Sequence, residues 1–194
     1  MTVEQPDIQI SREDQQMGFS VSWLAIPVTA KDSALATLGF VETNEREWLP
    51  ESSLVGASLP TGWYVVCFEH PSPAALKPES LRLLSRQAIE VACQVEEHAM
   101  VSTSACWSDG KEQWFVVHDA EDGPTNLEVV GNPPAALEEI RLAKLRLQES
   151  QRNVDHVFDV PLALAESLVG FRHDAAFDDS EEGMFAVLAR GRGV

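Results

Sequence analysis

Strand-like apolar runs, several of them alternating with a period of two, dominate the chain up to about residue 130, and a helical period then takes over. In residues 18–28 (GFSVSWLAIPV), Phe19, Val21 and Trp23 fall on one face, which predicts a strand. Pro27 cannot donate to a ladder, so that strand terminus belongs at an edge or an exit. Asp32 is placed to cap a short helix over 33–38, which Gly39 stops in the left-handed region.

Residues 40–47 read as extended, Pro60-Thr61-Gly62 as a turn, and 63–69 (WYVVCFE) as a buried strand. The prolines at 71 and 73 break that run, and Pro78 suits the first turn of a helix over 79–86. In residues 88–97, Ile89, Val91, Cys93 and Val95 alternate with Glu90, Ala92, Gln94 and Glu96, a half-buried strand. Helix competes there, because Ala, Glu and Gln favour it and nothing breaks the run from Glu79. Asp109-Gly110 between two β-like runs predicts a type I′ hairpin. An unbroken register from that turn pairs Trp107 with Glu112, Ala105 with Trp114, Thr103 with Val116 and Val101 with His118. After an acidic turn over 119–124, residues 126–130 form a further short strand.

Two helices follow. Asn132 and Pro133 open the first, with Leu137, Ile140, Ala143 and Leu147 as its apolar stripe. Asp159 caps the second, with Leu162, Ala165, Leu168 and Val169 inward and Gly170 at its end. Residues 184–189 return as an edge strand. The pattern is α+β: a mainly antiparallel sheet, a meander with an Asp-Gly hairpin, and two or three helices packed on one face. Residues 1–16 lack a core-forming period and read as a flexible tail. Residues 17–194 read as a single domain with an acidic loop at 174–182, and Met17 is a second candidate for its start.

Charge changes the picture most. The 194 residues carry 31 Asp and Glu against 14 Lys and Arg, a formal net of -17, well beyond what solubility requires of a small domain. Such a surface repels nucleic-acid phosphates and anionic headgroups and attracts basic partners. The first sixteen residues are polar and acidic, unlike a signal peptide, and no apolar run has membrane-spanning length. Three cysteines, Cys67, Cys93 and Cys106, lie within apolar runs and fit a reduced, cytoplasmic setting.

The chain has no nucleophile elbow, phosphate-binding glycine loop, zincin motif or C-x-x-C pair, and no cofactor is implied. Three constellations remain. His98 and His118, with Glu96 and Asp119, combine imidazoles and carboxylates able to hold a metal or move a proton. Arg172-His173-Asp174 follows the Gly170 stop; such a cluster recognises an anion, forms a His–Asp pair, or ties a helix end to a loop. Cys93 lies near Glu97 and His98 but faces inward on a strand, where a thiol is structural.

Among the tryptophans, Trp107 and Trp114 beside the hairpin turn are the candidates for exposed aromatics on an acidic surface. The sequence thus points to an acidic binding patch of Glu96, Glu97, Trp107, Asp109, Glu112, Asp119, Glu121 and Asp122, facing a basic protein partner. In general character, and on no motif, such a chain resembles the bacterial immunity and inhibitor proteins that neutralise basic toxins. The alternative is a small metal-dependent or His/carboxylate acid–base enzyme in the His98/His118 neighbourhood.

Overall fold

The computed structural model describes residues 19–151, 153–175 and 184–191. The expected N-terminal tail and most of the acidic 174–182 segment lie outside these residues. The strands are β1 (Ser20–Pro27), β2 (Phe40–Glu47), β3 (Leu54–Ser58), β4 (Trp63–Phe68), β5 (Glu90–Glu96), β6 (Val101–Ser108), β7 (Lys111–Asp119), β8 (Glu128–Gly131) and β9 (Phe185–Arg190). The helices are α1 (Lys31–Leu38), α2 (Pro78–Leu84), α3 (Ala136–Ser150) and α4 (Asp159–Val169). All nine strands join one antiparallel sheet in the order β2-β9-β3-β4-β1-β5-β6-β7-β8.

Alternation along the strands divides the core in two. Trp23, Ala25, Val55, Val65, Val91 and Cys93 point to the face covered by α4, whose Leu162, Ala165 and Val169 complete that layer. Leu24, Ile26, Tyr64, Val66, Ala92 and Trp107 point the other way, under Leu35 of α1 and Leu81 and Leu84 of α2. The two amphipathic helices α3 and α4 share one face, as the sequence suggests. The short helices α1 and α2 cover the opposite face, so the sheet is sheltered on both sides of its centre. This explains why β4, and β1 from Trp23 onward, are continuous apolar runs.

Residues 90–96 are strand, held between β1 and β6, despite their helix-favouring composition. Cross-strand pairing on both edges overrides local propensity. Gly39 and Gly170 end their helices at φ 72° and 75°, where a Cβ would be strained. Asp32 and Asp159 sit inside the first helical turns and are not caps. In α3 the inward residues are Leu137, Ile140 and Leu145, whereas Leu147 of the expected stripe is exposed. The strand β9 is not an edge strand: it lies between β2 and β3.

Tyr64 spreads its ring over Gly56 of β3 and donates its hydroxyl to Glu42 Oε1 at 2.9 Å. A Cβ at Gly56 would overlap the phenol. Gly56→Ala is expected to destabilise the protein by about 1–3 kcal/mol through overpacking, measured by urea unfolding; wild-type stability would refute the close approach.

Candidate binding site at one end of the sheet

The ladder registers bring the start of β3, the ends of β4, β5 and β7 and the start of β6 to one end of the sheet, while β2 and β3, both antiparallel to β9, run parallel to each other. That end holds residues 69–73, 97–100 and 120–127 with strand ends Glu96 and Asp119. The 48–53 connection runs down to it from the end of β2, Glu47 reaching it by accepting from Ser52 N–H and Oγ–H. Together they carry Glu47, Glu51, Glu69, Glu96, Glu97, Asp119, Glu121 and Asp122 without a Lys or Arg, and Arg190, which closes β9 beside Phe40, stands at the β2 side of the same end. At the opposite end the β6–β7 turn packs against α2, with the Arg86 side chain next to Gly110 and Lys111 alongside. The sheet therefore has an acidic end, and the net charge is not spread evenly.

This arrangement divides the predicted patch. Glu96 pairs with Val101, which pairs with Asp119, so Glu96, Glu97, Asp119, Glu121 and Asp122 belong to the acidic end. Asp109 and Glu112 sit at the far end of an eight-residue strand, roughly 25 Å away. Trp107 is buried, 8% exposed, in the core under α2, and Trp114 is buried beneath α3 and α4. Neither is a surface anchor. The exposed aromatics at the acidic end are Phe19 (48%) and Trp48 (48%), the latter beside exposed Leu49.

The hairpin turn itself is as read: Asp109 and Gly110 have φ 55° and 71°. The register changes, however, between Cys106 and Trp107, with Trp107 opposite Glu112 and Cys106 opposite Trp114. Gln113 is the extra residue of a bulge, and every later partner shifts by one. His118 consequently pairs with Ser102 and points into the α4 face, fully buried. Its Nδ1 lies 2.6 Å from the Asn126 carbonyl and its Nε2 2.9 Å from Asp155 Oδ2. The other oxygen of Asp155 accepts the backbone N–H groups of Val157 and Phe158, at the entry to α4. His118 is thus a tie between β7 and α4.

His98 is exposed in the β5–β6 turn, so the expected His98/His118 site is not assembled. Among the described residues no group of three or more His, Cys, Asp or Glu side chains could hold a metal ion. Burial pushes the thiols of Cys67, Cys93 and Cys106 up, consistent with inert cysteines.

The segment after α4 does two things. Arg172 binds Asp159 at the start of the helix, Glu166 within it and Asp174 beyond it, tying the helix to its exit. His173 turns towards the sheet. Its side chain is 8% exposed, yet neither ring nitrogen has a hydrogen-bond partner among the described residues, and Asp174 Oδ1 is 4.0 Å from Nδ1. Burial holds its pKa below the ordinary histidine value, outweighing Asp174 and Glu97 nearby. The imidazole lines a cleft of about 180 Å³ with Phe19, Val21, Trp23, Cys67 and Phe171. Phe19 packs edge-on against the imidazole, ring centroids 5.4 Å apart, and Trp23 edge-on against Phe171 at 5.5 Å. Pro50 and Ser52 close the cleft from the loop that carries Trp48, and Glu69 stands on its rim. Phe19 is fastened to Glu97 by two backbone-linked bonds, its N–H donating to Glu97 Oε2 and its carbonyl accepting from the Glu97 N–H.

Comparison with known proteins finds no match: no family model, no curated protein and no solved structure is similar to this chain. Sequence reasoning missed Glu51, Glu69, Phe19 and the cleft. The signal available was the run of cation-free connections, which is informative only once the strand order is known.

Proposed function

We propose that the protein is a binding module that captures a basic protein partner at the acidic end of its sheet. The observation that supports this is the set of connections and strand ends carrying eight carboxylates and no Lys or Arg beside half-exposed Phe19 and Trp48. Like charges gathered on one surface repel one another, which costs stability, and a cationic partner relieves that cost. The apolar shoulder supplies the desolvated contact that charge alone lacks, since buried aromatic anchors carry most interface energy. An inhibitor or immunity protein that neutralises a basic toxin domain is the kind of role this suits.

Neutralising Glu51, Glu69, Glu121 and Asp122 together, as Gln or Asn, is expected to slow association with a basic partner about tenfold or more at low salt. The dissociation rate should change much less. The test is capture from cell extract at low and physiological salt by wild type and variant, followed by stopped-flow kinetics with the captured protein. Retention of basic proteins by wild type alone is the expected result. Equal capture by both, or no basic protein held at either salt, refutes the reading.

A His/carboxylate enzyme at His98 and His118 has no assembled site, because His118 is buried and bonded on both nitrogens while His98 is exposed in the β5–β6 turn.

A further inference from the structure

Four features at the acidic end coincide. The cleft is walled by aromatic rings, and its volume of about 180 Å³ exceeds the roughly 150 Å³ of an apolar cavity that admits a benzene ring. One wall holds a polar side chain, His173, that is more than nine-tenths buried and unpartnered among the described residues. Groups of that kind call for an explanation, because buried polar atoms in folded proteins are nearly always paired. The rim carries carboxylates: exposed Glu69, Glu51 in the Pro50–Ser52 loop, and Glu97 behind Phe19. Arg172, the neighbouring cation on the same segment, is already matched by Asp159, Glu166 and Asp174.

We propose that this cleft receives a tyrosine side chain of the basic partner, flanked there by lysine or arginine, with the phenol ring against Trp23 and Phe171 and its hydroxyl bonded to His173. The inference rests on the reading that a basic partner binds at this end, and names what that partner inserts. A single ring matches the cleft in size. A hydroxyl serves the imidazole in either role, since a neutral histidine presents one donor and one acceptor. Phenylalanine would leave both nitrogens unpaired. Flanking cations then fall on Glu51, Glu69 and Glu97. Phe19, half exposed and packed on the imidazole edge, is the cover that turns aside when the phenol enters.

The experiment titrates the full chain, followed by side-chain NMR, with the peptides Lys-Lys-Tyr-Lys-Lys, Lys-Lys-Phe-Lys-Lys and Lys-Lys-Ala-Lys-Lys, and separately with p-cresol. The tyrosine peptide is expected to bind about tenfold tighter than the alanine peptide and severalfold tighter than the phenylalanine peptide, shifting Trp23, Phe171 and His173 resonances. His173→Phe should abolish the preference for tyrosine over phenylalanine while retaining the preference of both over alanine. Equal binding of the three peptides to the wild-type protein overturns the tyrosine anchor and leaves the basic-partner reading standing. Binding of p-cresol in the cleft without binding of any peptide overturns the partner's tyrosine as the occupant and makes the cleft a site for free phenols. No binding of any of the four refutes both readings.

Discussion

Glu90→Gln is expected to raise stability by a few kcal/mol, on the order of 4, at about pH 9, and to change it little below about pH 4. Glu90 lies at the start of β5, directly across from Trp107, and is 1% exposed. Its Oε2 has no hydrogen-bond partner among the described residues. Burial without a compensating charge raises its pKa from 4.5 to about 8. Below about pH 4 the carboxyl is protonated in both folded and unfolded chains and adds nothing to the pH dependence. Between about pH 4.5 and pH 8 the unfolded chain releases this proton while the folded chain keeps it. The unfolded state then binds fewer protons, so stability falls as pH rises, by up to about 1.4 kcal/mol per pH unit, and levels off above pH 8. An amide of the same shape removes this slope. Urea unfolding of both proteins across that range measures it, and a difference independent of pH would show that Glu90 is solvated or paired in solution.

The second large effect is at His118. Its ring is fully buried, packed edge-on to Phe158 with centroids 6.4 Å apart, and bonded on both nitrogens. His118→Ala removes that packing and leaves the Asn126 carbonyl and the Asp155 carboxylate short of a donor, so a loss of about 3–5 kcal/mol is expected. Because Asp155 also anchors the entry to α4, the loss should appear as early amide exchange in residues 157–162. Binding through the acidic end should survive wherever the variant remains folded. Retained stability in His118→Ala would mean that the β7–α4 tie contributes nothing.

Sequence and structure part company at identifiable residues. The Asp109-Gly110 turn is readable because positive φ at two successive residues is a local demand that few side chains meet. One added residue, Gln113, then moves His118 from the expected place opposite Val101 to one opposite Ser102, where it is fully buried. Nothing in the local pattern marks the bulge, since Val116 and Val117 suit either face. Trp107 fails for a related reason. An aromatic beside a polar turn reads as exposed, but α2, some twenty-five residues earlier in the chain, folds over it.

By itself the sequence determined eight of the nine extended or strand-like segments, leaving β3 (Leu54–Ser58) unread, together with the two glycine-stopped helices, the mixed α+β class and the excess of negative charge. Each depends on side-chain period, backbone φ or composition, which act within a few residues or over the whole chain without regard to fold. The tertiary structure alone decided that β9 inserts between β2 and β3, that helices cover both faces, and that eight carboxylates share one end of the sheet with a cleft. Those outcomes depend on which strands pair across long stretches of chain. That choice is made by total burial and ladder closure, which no short window of sequence contains.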